Sequence, residues 1–233
     1  MGEEKEQKTV NAVWYNELMV KKKKTFKQIY HDYLENRIKL EKYQWVGILM
    51  LVWVISGVVG WVYEFFVSLF ETGEVYMEGG NLLPWINIYA FGAMLILPSV
   101  YKFKKYPWAV FLMSVLVTGL VELIGGWLVY TIGNGTRYWN YDHGLWAWGS
   151  INGFVCPLSV TFFGIGALAL IYLIMPFLNW LAVRMTKRAF LTLAITLFAL
   201  IMVDELTNLV LKNVGAPTAM DFYRSIGMKY QNF

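Results

Sequence analysis

Residues 45–70 read WVGILMLVWVISGVVGWVYEFFVSLF, an apolar run interrupted by a single ionisable group, Glu64. A helix needs roughly 20 such residues to cross a bilayer, so this stretch is a complete membrane span. Similar runs follow near 84–101, 107–132, 153–182 and 190–211, separated by short polar turns. The sequence therefore predicts an all-α, polytopic membrane protein of about five transmembrane helices. Its spanning domain covers 45–211, preceded by a basic segment 1–44 and followed by a short tail 212–233.

Composition points the same way. Hydrophobic residues make up 58% of the chain and charged residues only 15%, against about 25% charged in soluble domains. The net charge of +4 does not imply nucleic acid, because the basic residues sit in runs beside apolar segments, where membrane topology accounts for them. Before the first span, Phe26, Ile29, Tyr30, Tyr33, Leu34, Ile38 and Leu40 recur at roughly helical spacing. That pattern predicts an amphipathic helix lying on the inner membrane surface, or a solvated helix beside it. No short apolar core with a cleavage site precedes residue 44, so the first span is expected to act as the insertion signal.

Lysine and arginine placement sets the orientation. Ten precede Tyr43, three (Lys102, Lys104, Lys105) follow span two, and three (Arg184, Lys187, Arg188) follow span four. The loop after span one has none and the loop after span three has only Arg137. The positive-inside rule places the N-terminus in the cytoplasm and the C-terminus outside. The sequon Asn134-Gly135-Thr136 then falls on the outer side, a short and common match. No internal repeat of 20–50 residues marks an inverted-repeat transporter, and an odd number of spans argues against two complete halves in one chain. Small residues such as Ser56, Gly57, Gly60, Gly125, Gly126, Gly164 and Gly166 allow close helix approach.

With that topology, depth can be read for each costly polar residue, since ionisable groups within a span usually face a cavity or a partner. Glu64, Glu122 and the Asp204–Glu205–Asn208 group all fall in the outer halves of outward-running spans. Asn87 and Tyr89 open span two, and Asn152 precedes span four. The loop Tyr138-Trp139-Asn140-Tyr141-Asp142-His143 can cap them. Carboxylates beside aromatic rings suit an organic ammonium group, and the rings also suit a sugar or a lipid headgroup. The plainer alternatives are an interfacial aromatic belt and interhelical hydrogen bonding. The expected ligand-binding set is Glu64, Tyr89, Glu122, Trp139, Tyr141, Asp142, His143, Asn152 and Asp204. Asp204 and Glu205 are neighbours, so only one is expected to face inward.

No cofactor or metal is implied. Cys156 is the sole cysteine, and neither HExxH nor paired histidines occur. The absence of a GxxxxGK[ST] loop means that the chain is not itself an ATPase, and no GxSxG elbow is present.

Five segments taken in order carry a family resemblance. They are Gly60-Trp61-Val62-Tyr63-Glu64, Ile88-Tyr89-Ala90-Phe91-Gly92-Ala93, Glu122-Leu123-Ile124-Gly125-Gly126-Trp127, Tyr138-Trp139-Asn140-Tyr141 and Asn152-Gly153-Phe154-Val155-Cys156. Across Val46–Ala182 the chain resembles the ABC-transporter type IV family of small multi-span proteins (CmpB-like permeases). It departs at Asn87, Ala90, Asn140 and Ser150, where the family usually shows Pro, Gly, Asp and Asn. The resemblance implies a transporter or permease subunit embedded in the bilayer. Such a subunit would work as a homodimer or with a partner membrane subunit, driven by a separate ATPase. Two other readings stay open. One is a membrane enzyme acting on a lipid or glycan headgroup, with Glu64 or Glu122 as base and His143 or Asp142 assisting. The other is a scaffold without a ligand.

Overall fold

The computed structural model describes residues 24–74, 76–77 and 79–230; most of the expected basic run, Lys21–Lys23, lies outside them. Among the described residues the regular structure is helical apart from a two-residue parallel ladder and an isolated bridge between Ile151 and Val155. Helix α1 spans Phe26–Leu34, α2 Lys42–Thr72, α3 Asn87–Val100 and α4 Pro107–Ile132. The next transmembrane rod is α5 (Pro157–Ala169), a π-helical turn (Leu170–Ile174) and α6 (Met175–Arg184). Helix α7 spans Lys187–Asn213 and α8 Ala219–Ser225; β1 (Tyr76–Met77) pairs with β2 (Lys229–Tyr230).

Four of these rods are long and apolar enough to cross a membrane: Lys42–Thr72, Pro107–Ile132, Pro157–Arg184 and Lys187–Asn213. The segment expected to span at 84–101 is different. Its helix α3 has 14 residues, about 21 Å of rise against a hydrocarbon core of about 30 Å. The cause lies in the entry. Ile86 is extended, its N–H donates to the Gly57 carbonyl at 3.1 Å, and the Trp85 indole donates to the Trp53 carbonyl at 3.4 Å. The chain thus leans on α2 before it can coil. Pro98 removes a further helical donor near the other end, and the helix tightens into a 3₁₀ turn at Tyr101–Phe103.

The π-helical turn also has a local explanation. Pro176 has no N–H, and its ring would press on the carbonyl four residues back. The turn widens just ahead of it, and Met175 N–H bonds to the Leu170 carbonyl five residues back.

The packed core sits at the end of the bundle that carries the basic turns. Ile48 and Val52 of α2, Val100 of α3, Val110 of α4, Ile171, Met175 and Phe190 are all fully buried there. Helix α1 closes that end. Thr25 and Gln28 form its capping box, and its apolar pair Ile29 and Tyr33 is buried to 1% exposure against the bundle. The centre of the amphipathic stripe thus packs on protein, while Phe26 at its start leaves 44% of its surface exposed. The helix stops at Leu34, ahead of Asn36 in the left-handed region at φ 57. Glu35 pairs with Lys105 at 2.9 Å across the turn.

Lys104 lies beneath α1 at 3% exposure, with its ammonium 4.1 Å from the centroids of both the Tyr33 and Tyr101 rings. Among the described residues no carboxylate pairs with it. Burial, with Lys105 beside it, pulls the ammonium down to about 8 from the ordinary 10.5. The folded protein releases this proton near pH 8, whereas the unfolded chain holds it until about 10.5. Raising the pH through that window therefore favours folding. We expect the melting temperature of the wild type, relative to Lys104→Met, to rise between about pH 8 and 10.5; a flat difference would show that the rings and the turn hold the charge without penalty.

Close helix contact depends on particular glycines. A Cβ at Gly57 would lie 2.0 Å from the buried Trp85 indole nitrogen, and one at Gly60 would lie 2.1 Å from Tyr89 Cγ. Gly57→Ala should cost about 1–3 kcal/mol through forced repacking, read as a lowered melting temperature in detergent. Gly125→Ala is the control, because nothing lies within 4 Å of the added Cβ.

Candidate functional site

At the end opposite the core, the helices separate around a cavity of about 590 Å³. Its walls come from α2, α3, α5 with the π-helical turn, and the 137–146 loop. The α2 wall is a single helical face, Ser56, Gly60, Tyr63/Glu64, Val67 and Glu71, spaced by three and four residues as a face requires.

The loop that roofs the cavity is held by backbone geometry. Asn152 and Gly153 both sit in the left-handed region, at φ 52 and 70. A Cβ at Gly153 would fall 2.2 Å from Asn140 Oδ1 and 2.4 Å from an Arg137 guanidinium nitrogen, so only glycine fits. This bend turns three successive carbonyls toward the loop. Arg137 donates to Asn152 O at 2.7 Å, Tyr141 N–H to Gly153 O at 3.0 Å, and the Trp139 indole to Phe154 O at 2.7 Å.

The loop in turn brings Tyr141 onto the membrane helices. Its hydroxyl donates to Glu122 at 2.8 Å, and the Ser159 hydroxyl donates to the other carboxylate oxygen at 2.7 Å. Burial, with the Glu122 carboxylate next to it, pushes the Tyr141 hydroxyl far above its ordinary range. Nearer the cavity centre, Tyr89 donates to Glu64, and the Trp146 indole donates to Glu71. The rings form a nearly continuous lining: Tyr141 to Trp146 at 5.6 Å, Trp146 to Phe162 at 6.2 Å, Phe162 to Tyr63 at 5.4 Å and Tyr63 to Tyr89 at 5.9 Å.

The expected site residues divide into three groups. Glu64, Tyr89, Trp139, Tyr141 and His143 line the cavity together. Glu122 does not; it lies at 7% exposure behind Tyr141 and Ser159, which do. Its carboxylate orients two wall residues rather than facing the space itself. Asp142 and Asn152 also lie off the wall, Asp142 accepting from Ser150 at 3.0 Å and Asn152 serving the loop through its carbonyl.

Asp204 belongs to a different assembly. Its carboxylate accepts the backbone N–H groups of Leu82 and Leu83 at 3.2 and 2.7 Å and the Asn208 amide at 2.9 Å. Glu205 accepts from Asn81 at 2.7 Å and Asn87 at 3.1 Å. Neither acidic neighbour lines the cavity, because the 81–87 segment crosses over α7 and takes up both. Asn208 also accepts from Ala219 N–H at 2.9 Å, tying in α8.

Sequence reasoning missed Glu71, Trp146, Ser159, Tyr63 and Phe162. Glu71 had a signal, lying two helical turns beyond Glu64 on the same face. Ser159 was visible only as the third residue of a helix start, and Trp146 carried no signal at all.

These features define a membrane protein with an amphiphilic cavity beneath an aromatic loop. The chain belongs to the family described as "Putative ABC-transporter type IV", matched over residues 51–209. The match runs into α7, further than the motif resemblance over Val46–Ala182. Comparison with curated proteins and with solved structures finds no match in either.

The Tyr141–Glu122 bond should be separable from the rest. Tyr141→Phe leaves one carboxylate oxygen without its donor and should cost about 1–3 kcal/mol. Combined with Glu122→Gln the loss should be smaller than the sum, with a coupling of about 1 kcal/mol, measured by thermal unfolding. Additive losses would mean that the pair does not interact.

Proposed function

We propose that this chain is the membrane subunit of a transporter and that it binds a small organic cation, or a headgroup of like chemistry, at the acidic and aromatic mouth of its cavity. The observation that carries this reading is the pairing of Glu64 and Glu71 with a ring-lined space. Among the described residues each carboxylate receives a single side-chain donor, Tyr89 or Trp146. A carboxylate offers about four acceptor positions, so both keep capacity for a ligand. Among the described residues neither forms an ion pair. Aromatic faces beside such groups attract an ammonium by cation–π interaction, worth up to about 2 kcal/mol when desolvated.

The orientation belongs to the same proposal. All the short basic turns share the end with the packed core, which we assign to the cytoplasm, and the cavity mouth then faces outward. A sealed apolar inner end in one chain favours a transport path completed by a second copy or partner subunit, with energy from a separate ATPase. The headgroup-enzyme reading is less well supported, because Glu122 is engaged by Tyr141 and Ser159, and Asp142 by Ser150. A scaffold role predicts polar groups that satisfy one another fully. That describes the Asp204–Glu205 assembly better than the cavity mouth.

Tetramethylammonium binding to membrane vesicles tests both parts. Right-side-out vesicles should show saturable quenching of tryptophan fluorescence that inside-out vesicles lack. Glu64→Gln and Glu71→Gln should each weaken it roughly tenfold, about 1.4 kcal/mol, and should lower amine uptake by cells in parallel. Folded variants with unchanged binding and uptake would refute the reading.

A further inference from the structure

The cavity is much longer than a small cation requires. On α2 its wall runs from Glu71 to Ser56, and on the facing rod from Ser159 to Ile174. Each stretch covers sixteen residues, so its ends lie roughly 22 Å apart along the helix. Half a bilayer, one leaflet of hydrocarbon with its headgroup layer, measures about 20–22 Å. The two walls are antiparallel, and their chemistry changes together along that length. Glu71 and Trp146 lie at one end, Glu64 and Tyr63 midway, and Ala93, Ile96, Leu170 and Ile174 at the other.

The cavity also opens sideways. Val59 on α2 and Ile165 on α5 both line it, yet each leaves 52% of its surface exposed. Between them Gly166 presents no side chain, and nothing lies within 4 Å of where a Cβ would be. Val59 and Ile165 both belong to rods long enough to span a membrane.

We infer that the occupant is a lipid-like amphiphile with a cationic ammonium head. It would enter laterally between α2 and α5 and place its head at Glu64 and Glu71 and its tail along Ala93, Ile96 and Leu170. The inference rests on the cation-binding reading above and adds the tail. Charge selects the head, for Arg137 is the one cation in the wall among the described residues. Its guanidinium is drawn off by Asn152 O at 2.7 Å and lies 3.9 Å from Asp142. The π-helical turn serves the tail, because it widens the rod where Leu170 and Ile174 form the apolar end.

The test uses the purified full chain in phosphatidylglycerol nanodiscs and dodecyltrimethylammonium carrying a diazirine at the tail end. Labelling, mapped by mass spectrometry, should fall on α3 and on 166–174. Unlabelled dodecyltrimethylammonium should compete at least tenfold better than tetramethylammonium. Gly166→Leu, whose Cβ meets nothing within 4 Å, should suppress labelling while leaving tetramethylammonium quenching intact. Glu64→Gln combined with Glu71→Gln should weaken both ligands about tenfold. If the two ammonium compounds compete equally and both need the carboxylates, the small-cation reading stands and the amphiphile inference falls. A neutral hydroxyl-headed analogue that labels the same residues equally well would overturn the inference by showing an unselective apolar crevice. Absence of binding by either ammonium compound would overturn both.

Discussion

A carboxylate set among lipid-facing helices cannot borrow hydrogen bonds from water, and each one unpaired costs several kcal/mol. The architecture at one end of this bundle follows from meeting that requirement. Glu122 is met by a loop tyrosine and a helix-start serine, which obliges the 133–156 loop to fold down onto α4 and α5. Asp204 and Glu205 are met by the amide and backbone donors of 81–87, which ties the non-helical stretch ahead of α3 to α7. Glu64 and Glu71 each receive one donor and keep one side toward the cavity. The same physical demand thus yields two structural ties and one open site.

The other end obeys a different rule. Its helices bury no carboxylate among the described residues, and its amides Gln44 and Asn179 are met by the Ala182 and Met175 carbonyls. The helices therefore close into a dense core from Ile48 to Phe190, and α1 covers it. A bundle tight at one end and propped apart at the other is wedge-shaped inside. The cavity is the space that the wedge leaves, and its apolar depth ends where the core begins. Aromatic rings suit this boundary because they pack against the core with their bodies and reach donors with their polar tips.

The family match and the cavity address different questions. The match places the chain among ABC-transporter-related membrane proteins over residues 51–209. Which groups face the cavity follows from the walls, and there Glu71 and Trp146 stand beside the motif residues Glu64 and Tyr89. Glu122, within one of the clearest motif segments, acts by orienting its neighbours. A motif residue in a membrane helix can therefore orient the walls of a cavity without lining it.

Much of this was legible in the chain. Apolar runs bounded by basic turns specify membrane helices because partitioning depends on composition over about 20 residues and not on partners. The face Gly60–Glu64–Glu71 was readable from helical spacing, and the sharing of one end by the polar residues from depth alone. The sequence could not show that Trp85 would lodge against Gly57 and shorten α3, or that the amphipathic stripe Ile29–Tyr33 would be buried by protein instead of lipid. Nor could it show that Asp204 and Glu205 would be taken up by 81–87 while Glu64 kept a free side. Those outcomes depend on which groups from distant segments reach a polar atom first, since a buried carboxylate can be satisfied by any donor of suitable geometry. Periodicity and hydropathy report what each helix must hide. Only the packed bundle decides what hides it.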